Sequence, residues 1–218
     1  MSKTYIFTSE SVTEGHPDKV SDHISDAILD EFLRQDPDSR VAVETLVTTD
    51  FVAVAGEVTS KGKFDIEKVV RDTIAEIGYD DPVLKFDAKT CEIIVKIDPQ
   101  SPNISQGVTI SQTQKEQGAG DQGLMFGYAT NETDEFMPLP ISLAHKLTKK
   151  LADVRKSKEL AWVRPDGKSQ VSVAYVDDKP ERVETIVIST QHDPEISNEE
   201  IRKQIIDKVI KPVCGNWW

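Results

Sequence analysis

Cysteine, positive charge and long apolar runs are all scarce in this sequence. Only two cysteines, Cys91 and Cys214, occur in 218 residues, which excludes a disulfide framework and a Cys-x-x-Cys metal site and favours a reducing compartment. No apolar run approaches the roughly 18 residues that span a bilayer, and the N-terminus lacks the apolar region of a signal peptide. These features predict a cytoplasmic protein without a membrane partner.

The charge balance restricts the class of ligand. Lys and Arg number 26 against 38 Asp and Glu, which gives a net charge of −12. A basic face for nucleic acid is therefore not expected, and a polyphosphate ligand would need metal ions or locally placed lysines. With 38% hydrophobic residues, the chain can fold as one large domain or as two of about 100 residues each.

A glycine-rich stretch, GAGDQGLMFGY at Gly118–Tyr128, surrounds a single carboxylate, Asp121. Its glycines permit backbone conformations and close approaches that side chains forbid. The stretch either brings backbone and one acid against a small ligand or forms a turn between a loop and a strand. It matches neither the G-x-G-x-x-G fingerprint nor a P-loop.

A helix is predicted from Pro17 to about Gln35, after a short strand at Thr4–Thr8. Proline suits the first helical turn, and apolar residues recur with helical spacing from Val20 to Phe32. His16 and Asp18 then lie at the helix N-terminus, where an anion would meet free N–H groups and Asp18 could hold a bridging cation. Alternatively, Asp18 only favours the helix start.

Arg40–Thr59 reads as a β-hairpin with Thr49-Asp50 as its turn. In that register Glu44 and Glu57 are diagonal neighbours on one face, among small alanines. Two such acids repel each other unless a cation or a substrate ammonium lies between them. A solvent-exposed sheet face is the competing interpretation, and a one-residue slip would reverse the faces.

The remaining elements alternate between helix and strand. Pro99 to Gln117 is a long polar stretch, which predicts a lid over the glycine-rich stretch. WVRPDGKSQ is predicted to place Arg164, Asp166 and Lys168 in a tight turn entering a strand. The other predictions are a helix capped by Asp65 and ending before Gly78, a strand at Glu92–Asp98, a helix at Ile141–Lys156, a hairpin of Gln170–Tyr175 with Arg182–Thr190, and a helix capped by Ser197 with Glu200 completing a capping box.

The order helix, hairpin, helix occurs twice. The N-caps are 132 positions apart, from Asp65 to Ser197, and the strands ending at Glu57-Val58 and Ser189-Thr190 have the same offset. This spacing predicts an α+β fold built from a duplicated unit, with Glu57 and Ser189 in equivalent places.

GHPDK at Gly15–Lys19, GAGDQG at Gly118–Gly123 and RPDGKSQV at Arg164–Val171 closely resemble the S-adenosylmethionine synthetase (methionine adenosyltransferase) family. The resemblance runs from the N-terminus to about Trp217. It implies three related α+β units around a pseudo-threefold axis, in homodimers or homotetramers with active sites between subunits. Residues 1–101 would be the N-terminal unit, 102–117 the lid and 118–218 the central unit. The third unit would be missing, so a fragment is expected.

The family transfers the adenosyl group of ATP to L-methionine and releases phosphate and diphosphate, with Mg²⁺ and K⁺ as cofactors. By motif, His16 and Lys168 would act on the triphosphate, and Asp166 would contact the nucleotide. Asp18 would bind Mg²⁺ and Glu44 would bind K⁺. Methionine would be held by Glu57, Gln100 and Asp121, so the glycine-rich stretch would close around an amino acid. The lid would comprise Gln100, Ser101, Pro102, Asn103, Ile104, Ser105, Gln106, Gly107, Val108, Thr109, Ile110 and Ser111.

Two other functions are compatible with the sequence. The chain could be a non-catalytic partner that binds full-length subunits or nucleotide, because no counterpart of the third unit's phosphate loop or adenine-contacting aromatic is found here. An unrelated Mg²⁺-dependent nucleotide phosphotransferase is the third hypothesis. Cleavage of ATP only at a phosphoanhydride would distinguish it from an adenosyltransferase.

Overall fold

The computed structural model describes residues 2–100 and 122–217, and the predicted α+β class is confirmed. The strands are β1 (Thr4–Val12), β2 (Arg40–Thr48), β3 (Phe51–Thr59), β4 (Glu92–Pro99), β5 (Val163–Val176) and β6 (Lys179–His192). The helices are α1 (Pro17–Gln35), α2 (Ile66–Ile77), α3 (Leu139–Lys156), α4 (Asn198–Ile205) and α5 (Lys211–Cys214). A π-helical turn, Ile206–Ile210, joins α4 to α5, and short 3₁₀ turns occupy Pro82–Leu84 and Gly215–Trp217.

The chain divides into two compact units. The first unit comprises Met1–Val20, Ile77–Tyr79 and Tyr128–Trp218, and the second comprises Ser21–Glu76 and Asp80–Gly127. Each unit contains one three-stranded sheet. Within residues 2–100 and 122–217, no helix has the length and apolar character needed to cross a membrane.

The sheet of the first unit has the order β1-β5-β6 and is antiparallel throughout. Helix α3 packs on β1 and β5, and a Cβ added to Gly167 of β5 would lie 2.8 Å from Leu151 Cδ2 of α3. The core is built from apolar side chains of α3, β5 and the C-terminal helices, among them Leu143, Leu147, Leu151, Val154, Val171, Val173, Ile205 and Val209. This packing fixes which face of β5 is covered by the helix.

The predicted hairpin in the second half of the chain is confirmed, with longer strands and a shorter turn. Asp177 and Asp178 alone connect β5 to β6, and both have positive φ, at 50° and 60°. Positive φ at both central residues is the type I′ geometry, whose twist matches that of the flanking strands. Strand β1 is likewise longer than predicted, because it pairs with β5 from Thr4↔Val176 to Val12↔Lys168.

The predicted tight turn at Arg164–Lys168 is wrong. These residues lie inside β5, where the register shifts between the pairs Val163↔His192 and Gly167↔Thr190. Pro165 lacks an N–H to donate, and a bulge is one of the few places where a strand accepts proline. The pairs that flank this segment, Val163↔His192 and Gly167↔Thr190, keep it within the strand against the local turn preference.

The sheet of the second unit confirms the predicted hairpin register. Thr48 pairs with Phe51, Glu44 pairs with Ala55, and β4 runs parallel to β3. The inner face is buried, with Val43, Val52 and Val54 pointing into the core. Helix α1 has the predicted bounds, and its Ser25 hydroxyl lies 2.9 Å from that of Thr45 on β2.

Both predicted helix N-caps are confirmed. Asp65 Oδ1 accepts a 3.1 Å hydrogen bond from the backbone N of Lys68, and Ser197 Oγ accepts one of 3.2 Å from that of Glu200. Gly78 follows α2 with a φ of 107°, as a left-handed helix stop requires. The duplication inferred from the spacing of these caps, and the threefold repeat implied by the resemblance, stay predictions.

Candidate functional site

His16 lies immediately before the first turn of α1, where its carbonyl accepts a 2.8 Å hydrogen bond from the backbone N of Val20. Its side chain is largely buried, and Nδ1 accepts a 3.3 Å hydrogen bond from the backbone N of Asp18. Because Nδ1 accepts this bond, Nε2 is the ring nitrogen that is left to donate to a ligand. The Asp18 carboxylate is 89% exposed, with Oδ2 at 3.8 Å from His16 Nδ1.

The loop that carries His16, residues 13–16, is fixed to β5. Thr13 donates from its backbone N to Gly167 O (2.8 Å) and from Oγ1 to Pro165 O (2.7 Å). A Cβ at Gly15 would overlap the backbone of Pro165, so only glycine permits this approach. The arrangement places His16 beside the bulged start of β5.

Asp166, in that bulge, interacts electrostatically with both His16 and Lys168. Burial raises the pKa of the Asp166 carboxyl, and attraction to His16 and Lys168 opposes this shift. Among the residues that the structure describes, the buried Asp166 Oδ1 has no hydrogen-bond partner. The structure therefore brings three predicted nucleotide-site residues together and leaves an acceptor oxygen for a ligand.

The predicted cation and methionine residues of the second unit lie on its sheet. Glu44 and Glu57 share the outer face, as predicted, and both side chains are exposed. Leu46 of the same face is 63% exposed. Gln100 directly follows β4, and its Oε1 accepts a 3.1 Å hydrogen bond from Arg40 Nε.

Some predicted residues lie outside the described part of the chain. These are Asp121 and the lid residues from Ser101 to Ser111, so their roles stay predictions. The end of the glycine-rich stretch is described. There Leu124, Met125 and Phe126 are all strongly exposed.

Two family descriptions match the chain in succession. The N-terminal domain of S-adenosylmethionine synthetase matches residues 4–102, and the central domain matches residues 116–218. The chain belongs to the S-adenosylmethionine synthetase family. The predicted resemblance is thereby confirmed.

Individual relatives agree with this assignment. The chain is 57% identical over 214 residues to the S-adenosylmethionine synthase of Desulfosudis oleivorans, with 98% of this chain and 55% of the relative covered. It is 58% identical over 213 residues to that of Sorangium cellulosum, with 95% and 50% covered. The chain thus spans about half the length of these curated relatives.

The residues that hold the His16 loop of this family member were not predicted from sequence. Tyr79 Oη donates a 2.6 Å hydrogen bond to Gly15 O. Arg155 Nη2 donates to Glu14 Oε1 (2.6 Å) and to Ile77 O (2.8 Å). These partners are 64 to 141 positions apart in the sequence. Local periodicity carries no signal for such pairs, although Glu14 directly precedes the GHPDK motif.

The family generally uses Mg²⁺ and K⁺, and one described carboxylate is compatible with the way proteins bind Mg²⁺. No group of three or more His, Cys, Asp or Glu side chains able to hold a metal occurs in residues 2–100 and 122–217. Mg²⁺ commonly binds through one or two carboxylates, with substrate phosphates and waters completing its shell. A single exposed carboxylate such as Asp18 fits that mode of binding.

Proposed function

We propose that this chain is part of a methionine adenosyltransferase that forms S-adenosylmethionine from ATP and L-methionine. The grouping of His16, Asp166 and Lys168 beside the N-terminus of α1 carries the proposal. In the reaction, a lone pair of the methionine sulfur attacks C5′ of ATP. The C5′–O bond breaks, and its electrons leave with the triphosphate, which is then hydrolysed to phosphate and diphosphate.

Methionine sulfur is already a nucleophile, so the chain needs no general base for this step. Its task is alignment and stabilisation of the charge on the departing triphosphate. With His16 Nδ1 occupied by the Asp18 backbone N, the Nε2–H group can donate a hydrogen bond to the leaving oxygen, which leaves with the electron pair and takes no proton from the ring. Lys168 contributes positive charge, and the first N–H groups of α1 favour an anion.

Two ions would assist from carboxylates of the chain. Asp18 would hold Mg²⁺ and Glu44 would hold K⁺, and the bound cations neutralise phosphate charge. Asp18 is the exposed acid next to His16, which supports its assignment. Glu44 lies on the same sheet face as Glu57.

Methionine would be held by Glu57, Gln100 and Asp121, with residues 100–111 as the lid. The hydrogen bond from Arg40 holds the Gln100 amide at the end of β4. The outer face of this sheet also carries a row of apolar side chains, because Leu46 pairs with Ala53 and Ala53 with Ile94. Exposed Leu46 and Ile94 support association with another subunit in a homodimer or homotetramer.

A direct assay tests the proposal. The purified chain is supplied with ATP, L-methionine, Mg²⁺ and K⁺, and S-adenosylmethionine is quantified by mass spectrometry. Product would show that residues 1–218 suffice for catalysis. In the chain, or in a full-length form that contains it, His16→Asn should lower the single-turnover rate by on the order of 10²- to 10³-fold. His192→Asn, at an exposed histidine of β6, should leave the rate unchanged. An unaltered rate in His16→Asn would contradict the role given to His16.

The exposed apolar row also favours a second candidate, a non-catalytic chain that binds full-length subunits or nucleotide. Size-exclusion chromatography of the chain mixed with a full-length relative measures this association. A mixed complex together with no product from the chain alone would favour the binding function over catalysis.

A further inference from the structure

Gln191 of β6 lies opposite the bulge in β5. The ladder pairs Val163 with His192 and Gly167 with Thr190. Gln191 therefore stands alone across from residues 164–166, where the strand carries two extra residues. A bulge of this kind redirects side chains and is frequent beside functional sites.

Gln191 shares a sheet face with Asp166 and Lys168. Gly167 and Thr190 form a pair, and Gly167 faces Leu151 of α3. Because successive residues of a strand point to opposite faces, the neighbours of this pair project away from α3. Those neighbours are Asp166 and Lys168 on β5 and Ser189 and Gln191 on β6.

Two buried oxygens on this face are without partners. In the part of the chain that the structure describes, only Asp166 Oδ1 and Gln191 Oε1 are buried side-chain polar atoms without a hydrogen-bond partner. Such atoms are few in folded proteins, and each calls for a donor. Two of them at one bulge, on the face that carries Lys168, indicate a ligand that donates two hydrogen bonds.

We propose that Gln191 is a ligand-binding residue and that Asp166 and Gln191 together accept hydrogen bonds from the two vicinal hydroxyls of the ribose of a nucleotide. This inference rests on the proposed function, since it assigns the sugar of the same nucleotide. A carboxylate oxygen and an amide oxygen are both acceptors, which matches two hydroxyl donors. A phosphate group in this position would meet the Asp166 carboxylate and be repelled.

The test compares binding of adenosine, 2′-deoxyadenosine and inorganic tripolyphosphate to the whole 218-residue chain by NMR titration. Wild type should bind adenosine about tenfold more tightly than 2′-deoxyadenosine, the effect of one lost hydrogen bond. Gln191→Leu should weaken adenosine binding by a similar factor, remove most of that discrimination and leave tripolyphosphate binding unchanged. Gln170→Leu is the matched control, because Gln170 is an exposed glutamine on the same face of β5.

A second variant distinguishes the loss of a hydrogen-bond acceptor from misfolding. Gln191→Glu keeps an acceptor oxygen and should retain discrimination between the two nucleosides, whereas loss of discrimination in it with a native NMR spectrum would overturn the proposal. Equal binding of adenosine and 2′-deoxyadenosine by wild type would also overturn it.

The nucleoside and activity experiments can fail separately. Ribose discrimination through Gln191 without any S-adenosylmethionine formation would support this inference and contradict catalysis by residues 1–218 alone. Product formation with no effect of Gln191→Leu on adenosine binding would support the catalytic function and contradict this inference. A chain that binds neither nucleoside nor tripolyphosphate contradicts both.

Discussion

The phenolic oxygen of Tyr79 donates a 2.6 Å hydrogen bond to the backbone carbonyl of Gly15, one residue before His16. Tyr79 is almost fully buried, and burial raises the pKa of its hydroxyl, so the group stays protonated as a donor. Pro165 packs closely against the same glycine, since a Cβ on Gly15 would overlap its backbone. One side chain just beyond α2 thus helps to fix the loop at the start of α1.

Tyr79→Phe should therefore destabilise the protein. The substitution leaves the Gly15 carbonyl without its donor, at an expected cost of about 1–3 kcal/mol in the free energy of unfolding. Urea unfolding followed by circular dichroism measures this difference. Tyr128→Phe, at an exposed tyrosine, is the matched control and should change the free energy by less than about 0.5 kcal/mol. Equal effects of the two variants would contradict the importance of this bond.

Gly15→Ala should destabilise the protein more than the addition of a single methyl group usually does. The new Cβ would overlap the backbone of Pro165, and backbone at a strand cannot move aside as a flexible side chain can. We expect a loss of about 1–3 kcal/mol, typical of overpacking, with displacement of the His16 loop visible in NMR chemical shifts. Gly127→Ala has no atom within 4 Å of its Cβ and should be close to neutral.

Arg155→Met should destabilise the protein, because it breaks a partly buried ion pair. The Arg155 side chain is 12% exposed and bridges Glu14 at 2.6 Å. Without Arg155, Glu14 is still paired with Lys156, but the partly buried ion pair is broken and the Ile77 carbonyl loses this donor. We therefore expect the free energy of unfolding to fall by about 2–4 kcal/mol. Lys149→Met breaks an exposed pair with Asp153 and should cost less than about 1 kcal/mol. Denaturant unfolding at low and high salt would distinguish the two, because salt screens only the exposed pair strongly.

Asp166→Asn should stabilise the fold while weakening the site. Burial raises the pKa of this carboxyl above its ordinary value of 3.8, so the folded state binds the proton more tightly than the unfolded chain does. The resulting cost to stability is absent below the unfolded-state pKa, grows as the pH rises through that value, and is complete above the folded-state pKa.

The gain in the free energy of unfolding from Asp166→Asn should accordingly be largest near neutral pH and become smaller at acidic pH. Thermal unfolding at about pH 7 and about pH 4 measures it. Asp80→Asn, at an exposed aspartate after α2, should show no comparable gain. A gain that is independent of pH would contradict the buried carboxylate as its source.

Local rules predicted much of the fold because several segments specify their own structure. The Thr49-Asp50 turn and strict alternation set the register that pairs Glu44 with Ala55. Proline and helical apolar spacing set the bounds of α1. The local rules failed at Arg164–Lys168, where turn-forming residues lie in a strand because the flanking pairs with β6, Val163↔His192 and Gly167↔Thr190, hold both ends of the segment.

The candidate site was only partly predictable for a related reason. Motifs indicated His16, Asp166 and Lys168, whose proximity the structure supports. The groups that hold the loop, Tyr79 and Arg155, act through contacts far apart in sequence. Gln191 carries no motif of its own, and only the register of β5 and β6 places it across from the bulge.

The pairing of β1 with β5 also sets an order of events during synthesis. Thr4 pairs with Val176 and Val12 pairs with Lys168. More than half of the chain must therefore be synthesised after β1 before the strand that pairs with it is available. At about 5–20 residues per second, that delay is on the order of 10–30 s, during which the unpaired edge of β1 is open to other chains. The loop bearing His16, tied to β5 through Thr13, cannot reach its final position earlier.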